Sequence, residues 1–524
     1  MNSTVRELRA GFEAAAGVRA AFVIAAIVLA LTGVVSITLH LLGMAYADGS
    51  AFVAGVIAVA FIGAFGRAPK PTLVVFACYV LLIDTLRRYA GYSLNYVDEL
   101  AVPIMFAVTA WRERPWLSGL VEPLREGAVV AVLGLATAAS LVNGVPAHVW
   151  LPGLLLLAKI FALFYVVVWQ RFTIDDLRGY SVFALALAGP IIGLGYIEAI
   201  NPPAFREFFG LSGVGAARGI LPSVKSITFH PVIYGWIGGW LSLWLAAYYV
   251  VYRKRWLLIG SMLAAGGTFL SARRRAILGL LAGLAAGFVA TAARAWRASI
   301  RRWAPVAVGL LVLTIVFSPG IATLAQITVR DYVEPSTVRP TVPPPTEGAV
   351  EPEVEPEVEP EPQRGEAARI VIYVRSFDVA RDYFPLGAGL GRYGSWMSRV
   401  EYSPLYEQYG LSHLWGMQAT GANFITDTFW PQILGETGYL GLGAFVLFVL
   451  LVGVGLWRAA RLPQVPFARA FALGAFMLFV HAVVETSASP MFASGKRTYI
   501  VLGAAGIAIS MLRDAQAVRR DMRH

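Results

Sequence analysis

Three consecutive arginines, Arg273-Arg274-Arg275, stand between two apolar stretches, Trp256 to Ser271 and Ala276 to about Ala293. A guanidinium offers a planar fork of N–H donors that matches phosphate or carboxylate oxygens, so arginine held at a membrane corner points to a bound anion. More cations recur in segments that the charge pattern assigns to the same face. Arg218, Lys225 and His230 lie in the 200–230 segment, and Arg369, Arg375, Arg381 and Arg392 in 365–395. Two carboxylates, Asp427 and Glu436, sit in NFITDTFWPQILGETGYLG. Fixed cations neutralise a diphosphate and stabilise the charge it gains as a leaving group. A carboxylate beside them accepts a proton from an attacking hydroxyl. The candidate catalytic residues are therefore Asp427, Glu436 and Arg274. The candidate substrate-binding residues are Arg218, Arg273, Arg275, His230, Arg369, Arg375 and Tyr393.

Plainer roles compete at each position. The arginines also suit outer-leaflet headgroups, reached by snorkelling. Arg218 and Glu436 suit structural ion pairs. His230 opens an apolar stretch and suits a helix cap, as does Asp427. Lys225 is expected at the surface. Tyr393, Trp396, Trp415 and Trp430 suit either sugar stacking or an aromatic belt at the bilayer interface. No metal is expected: there is no HExxH, no Cys/His set and no DxD in the outer loop. No cofactor motif is present either. The glycines of PLGAGLGRYG follow a helix in a loop, outside the βαβ context that a dinucleotide fingerprint needs.

These residues must be positioned by membrane-spanning helices. The chain has 524 residues, 57% of them hydrophobic and only 14% charged, which implies an all-α polytopic membrane protein. A net charge of +11 would suggest nucleic acid in a soluble protein; here it reads as loop charge that sets topology. The single cysteine, Cys78, allows no internal disulfide. About 14 spans, with 12 as the lower reading, are expected. They run near 20–43, 51–65, 71–87, 98–111, 127–142, 151–170, 180–199, 229–252, 256–271, 275–293, 305–325, 437–457, 467–486 and 497–512. The first is expected to be a retained span rather than a cleaved leader. The spans 51–65 and 98–111 are short enough to be re-entrant. Basic residues alternate: Arg67 and Lys70; Arg112 to Arg125; Arg171 and Arg178; Arg253 to Arg255; Arg294 to Arg302; Arg458 to Arg469; Arg513 to His524. The positive-inside bias puts these, and both termini, in the cytoplasm. Among intramembrane charges Asp84 and Lys159 are the clearest, and Lys159 calls for a partner or a cavity.

This divides the chain into an N-terminal bundle (1–326), an outer loop (327–436) and C-terminal helices with a cytoplasmic tail (437–524). Residues 327–364 carry the EPEVEPEVEPEP repeat and are expected to be a disordered Pro/Glu-rich tether. Residues 365–436 are expected to be ordered and helical, with an amphipathic helix over Arg369–Tyr383 and one or two short helices beyond it.

Three local patterns across residues 200–455 resemble the O-antigen ligase and polymerase superfamily of bacterial membrane glycosyltransferases. They are SARRRA from Ser271 to Ala276 with Arg274 at the matching place, the turn GAGLGRYG, and Glu436-x-Gly438-x-x-Gly441. Arg218 also resembles a family position. Asp427 stands where ligases carry a histidine, which favours the polymerase branch. The resemblance implies a metal-independent, class C glycosyltransferase-like fold in the bacterial inner membrane, with the large loop periplasmic. The implied donor and acceptor are glycans on undecaprenyl diphosphate, met at the bilayer, with no nucleic acid and with room for a partner that regulates chain length. A growing glycan would pass to the sugar hydroxyl of another lipid-linked unit. A ligase transferring to lipid A core, and a transporter or flippase of lipid-linked sugar, are the alternatives.

Overall fold

In the computed structural model, the described residues are 46–90, 92–115, 122–210, 223–293, 295–322, 366–414, 416–419, 428–461, 465–493 and 496–521. The expected first span, the Pro/Glu-rich tether, Arg218, Trp415 and Asp427 lie outside them. Among the described residues all regular structure is helical. The helices are α1 (Tyr46–Arg67), α2 (Pro69–Ala90), α3 (Val97–Glu113), α4 (Pro123–Val142), α5 (Ala147–Val168), α6 (Ile174–Ile200) and the short α7 (Pro202–Phe208). There follow α8 (Pro231–Tyr252), α9 (Arg255–Leu270), α10 (Arg274–Ala292), α11 (Trp296–Val316) and α12 (Glu366–Asp382). The last are the short α13 (Trp396–Val400) and α14 (Leu405–Gln408), then α15 (Trp430–Arg461), α16 (Pro466–Glu485) and α17 (Lys496–Asp521). Among the described residues nine helices are long and apolar enough to cross a membrane, and two further apolar helices are shorter.

The centre is α8 and α16, which pack along each other and against α10. Both are apolar nearly all round, as a helix without a solvent or lipid face must be. Buried residues run almost unbroken from Pro231 to Val250 in α8. Glycines let these helices meet closely: a Cβ at Gly283 would stand 2.8 Å from the Met477 carbonyl oxygen. α11 is peripheral and leaves Val308, Leu311, Val312, Ile315 and Val316 exposed.

The basic ends gather at one end of the bundle. Lys70 pairs with Asp176 at 2.7 Å. Arg112 donates to the Gly66 carbonyl at 3.0 Å and Arg513 to that of Val168 at 2.9 Å. Arg253 donates to the carbonyls of Arg302 and Arg301 at 2.9 and 3.1 Å. The corner Ser271–Arg275, the glycine turn and the end of α16 gather at the other.

Two expectations change. α12 falls where the helix was expected, but it is not simply amphipathic: Ile372 and Val379 are buried while Ile370, Val374 and Phe377 are exposed. The span expected from 437 opens at a kink: Gly438, at φ 64° and ψ −168°, is not helical, and it separates a short helical piece that starts at Trp430 from the long helix that runs on to Arg461. Lys225, expected at the surface, is buried at 2% exposure.

Candidate functional site

The arginine corner is built by its neighbours. α9 ends at Leu270, and Ala272 takes a left-handed backbone (φ 54°), unusual for a residue with a side chain. Buried Ser271 donates to the Thr268 carbonyl at 2.6 Å and accepts the Arg273 N–H at 3.3 Å, which turns the chain tightly. Arg273 then occupies the N-cap of α10, with Arg274 and Arg275 in its first turn. Three arginines thus open α10 at its N-terminus, where the helix macrodipole adds to their positive charge.

A second segment meets it. Arg275 donates to the Ala488 carbonyl and lies 3.9 Å from the Glu485 carboxylate. Arg497 lies 3.6 Å from the same Glu485 oxygen and donates to the Ser489 hydroxyl at 3.2 Å. The phenol of Tyr373 on α12 donates to the Ser487 carbonyl at 2.7 Å. Burial pushes that phenol up to about 12, against the pull of Arg369 one turn earlier on the same helix. The segment 485–489 therefore collects Arg275, Arg497 and the Arg369 face of α12. Glu485 is fully buried, and its ion pairs with Arg275 and Arg497 are the pairs described at this segment.

The glycine turn is fastened to α15 through backbone. Ala388 and Gly389 donate to the carbonyls of Gly435 and Glu436 at 2.9 and 3.0 Å. The buried Glu436 carboxylate accepts the N–H groups of Arg392 and Tyr393 at 3.0 and 3.2 Å, both on Oε1. Glycine is required at the crossing. A Cβ on Gly387 (φ +81°) would stand 2.3 Å from the Gly438 nitrogen, and one on Gly438 2.3 Å from the Pro385 carbonyl oxygen. From below, Ser140 accepts the Leu390 N–H at 2.9 Å and Asn143 donates to the Gly387 carbonyl at 2.8 Å. We call this arrangement the clasp.

The sequence candidates thus fall into separate groups. Arg273, Arg274, Arg275 and Arg369 belong to the arginine-rich end, and Tyr393 and Glu436 to the clasp. The Tyr393 phenol is buried and donates to the Ile372 carbonyl at 2.7 Å, so it ties the turn to α12. His230 is exposed and caps α8, its Nδ1 accepting the Val232 N–H at 3.2 Å. Arg375 pairs with Asp378 along the exposed side of α12 at 2.9 Å.

Sequence reading passed over several residues. Glu485 and Arg497 complete the arginine corner. Glu198 is fully buried and accepts the backbone N–H of Lys225 and Ser226 at 2.8 and 2.7 Å, with Arg206 at 2.9 Å on its other oxygen. That carboxylate orders the start of the 223–230 segment, and Val224 donates to the Leu270 carbonyl beside the arginine corner at 3.0 Å. An acid inside an apolar span is costly unless paired; Glu198 and Glu485 each carried that signal. Lys159 finds its partners in Asp98 at 2.9 Å and Glu99 at 3.4 Å, and Tyr499 donates to Asp98 at 2.7 Å. Among the described residues no group of His, Cys, Asp and Glu could hold a metal ion. In comparison with known proteins, no family model and no curated protein matches this chain.

Proposed function

We propose that this chain is a membrane glycosyltransferase of the polysaccharide polymerase kind, with 14 spans and a class C-like fold, working without metal at the periplasmic face of a bacterial inner membrane. The observation that supports it is the meeting of Arg275, Arg497 and the Arg369 face of α12 on one short segment, 485–489, beside Arg273 and Arg274. A site with several arginines at one helix N-terminus suits a diphosphate leaving group. In this reading a growing glycan leaves undecaprenyl diphosphate held by Arg274 and its neighbours. The acceptor is the sugar hydroxyl of a second lipid-linked unit. Asp427, by its place in the motif, takes the hydroxyl proton, with Glu436 as alternate. Glu436 also holds the clasp, so its two duties are separable by mutation.

The test is a reaction of purified protein in lipid with undecaprenyl-diphosphate-linked repeat units, resolved by gel. A ladder of products from the wild type, lost in Arg274→Ala while the protein still reaches the membrane, is the expected result. Normal chain lengths in Arg274→Ala sink the diphosphate assignment. A single transfer that needs lipid A core identifies a ligase instead.

One observation favours a second reading. The buried pair of Lys159 and Asp98, 4% and 1% exposed, with Tyr499 on the same carboxylate, is the kind of intramembrane charge that carriers use. Movement of lipid-linked sugar across proteoliposomes, without transfer, would establish that reading.

A further inference from the structure

A cavity of about 90 Å³ is lined in part by the residues that directly follow 485–489 in the chain. It is bounded by the first turns of α5, the start of α13, the start of α15 and residues 490–493. A single water needs about 10–15 Å³ of such space, so the cavity holds about six to nine water-sized groups, the scale of one sugar ring. Its lining is mixed. Trp396, Phe429 and Phe492 supply aromatic surface; Ser395, Gln432 and Glu436 supply polar atoms. The Phe429 and Phe492 rings meet edge to face, 5.6 Å between centroids. Arg399 stacks on one face of Trp396 at 4.7 Å, which holds the indole in place.

One polar atom here has no partner. The buried side-chain oxygen of Gln432, a residue of the cavity lining one turn before Glu436, accepts no hydrogen bond. A buried acceptor left unpaired is costly, and a ligand hydroxyl would satisfy it. Apolar aromatic walls with a few fixed polar groups are what a pyranose requires: C–H faces against rings, and hydroxyls against an amide, a hydroxyl and a carboxylate.

We infer that this cavity is a subsite for one sugar ring of the glycan, with Gln432 and Trp396 as its recognition residues. The inference rests on the glycosyltransferase reading for its substrate class. Position strengthens it: residues 485–489 face the arginines and residues 490–493 line the cavity, so a phosphate-linked sugar can place its charge at one and its ring at the other.

The experiment measures binding of free methyl glycosides, which carry no phosphate, to the full chain in lipid nanodiscs by saturation-transfer NMR. The panel is methyl α- and β-glucoside, galactoside, mannoside and N-acetylglucosaminide. At least one glycoside should bind the wild type. Gln432→Leu and Trp396→Ala should each weaken it by about tenfold, as expected for one lost hydrogen bond or stacking contact, and Trp396→Phe by less. Arg274→Ala should bind the glycoside normally although it makes no polymer. Equal binding in Gln432→Leu and Trp396→Ala, or no binding by the wild type, overturns the subsite. Should Trp396→Ala fail to fold, Gln432→Leu, which keeps the side-chain shape, decides alone. Normal glycoside binding in a protein that transfers no glycan leaves the subsite standing and retires the polymerase reading.

Discussion

Glu436 shows how far one side chain combines structure and chemistry. Its Oε1 accepts two backbone N–H groups from the glycine turn. Glu436→Ala leaves both donors unpaired in a buried place, at about 1–3 kcal/mol each. A clear fall in the melting midpoint in detergent is expected. Glu436→Gln keeps an acceptor oxygen and should melt close to wild type. If the glutamine variant is stable yet inactive, the carboxylate itself acts in transfer; if it is as unstable as alanine, the clasp needs the charge. Tyr373 offers a milder case, since Tyr373→Phe removes one hydrogen bond to Ser487, about 0.5–1.5 kcal/mol. Its phenol is raised above its ordinary value to about 12, so this contribution is fully present below about pH 10 and is lost as pH rises through about 12. At this scale the arginines and Glu436 were legible in the sequence. Glu485, Arg497 and Gln432 were not singled out, because their importance comes from what the fold brings beside them.

Among elements, α15 turns on a single residue. Gly438 has a backbone that only glycine adopts readily, at the kink where the two helical parts of α15 meet. Gly438→Ala meets both strained φ, about 1–3 kcal/mol, and a backbone collision with the glycine turn. It should lower the melting midpoint and loosen residues 386–394, read as faster amide exchange there. Gly443, five residues on in the same helix, has open space around it, so Gly443→Ala should be neutral or stabilising by up to about 1 kcal/mol. Melting curves of the two variants, run together, check the contrast. The sequence marked both segments of the clasp, GAGLGRYG as a glycine turn and GETGYLG as a carboxylate-bearing motif. It did not pair them with each other, since hydrogen bonds between main chains more than forty residues apart leave no pattern in side-chain types.

For the molecule as a whole, charge alternation was the most legible feature. Several basic loops meet in pairs, as arginine and lysine ends find carbonyls and acids of neighbouring loops. What could not be read was how the interior balances its charges. Lys159 was conspicuous, but Asp98 and Tyr499 reach it from distant parts of the chain. Removing one partner of a buried pair typically costs about 3–5 kcal/mol. Lys159→Met should therefore lower thermal stability strongly, and Lys159→Met with Asp98→Asn should recover most of the loss. A double variant no better than the single would mean that the pair has little part in stability.

The interleaving of α16 with α8 and α10 bears on covalent continuity. Helices from before residue 322 enclose helices from after residue 428, and α12 is tied to both by Tyr373 and the clasp. The peptide bonds between 323 and 365 are therefore dispensable for keeping the two parts of the protein together. A protease site inserted there and cut after purification should yield two fragments that remain one complex through size-exclusion chromatography. The same two fragments, expressed from separate messages, should find each other in the membrane.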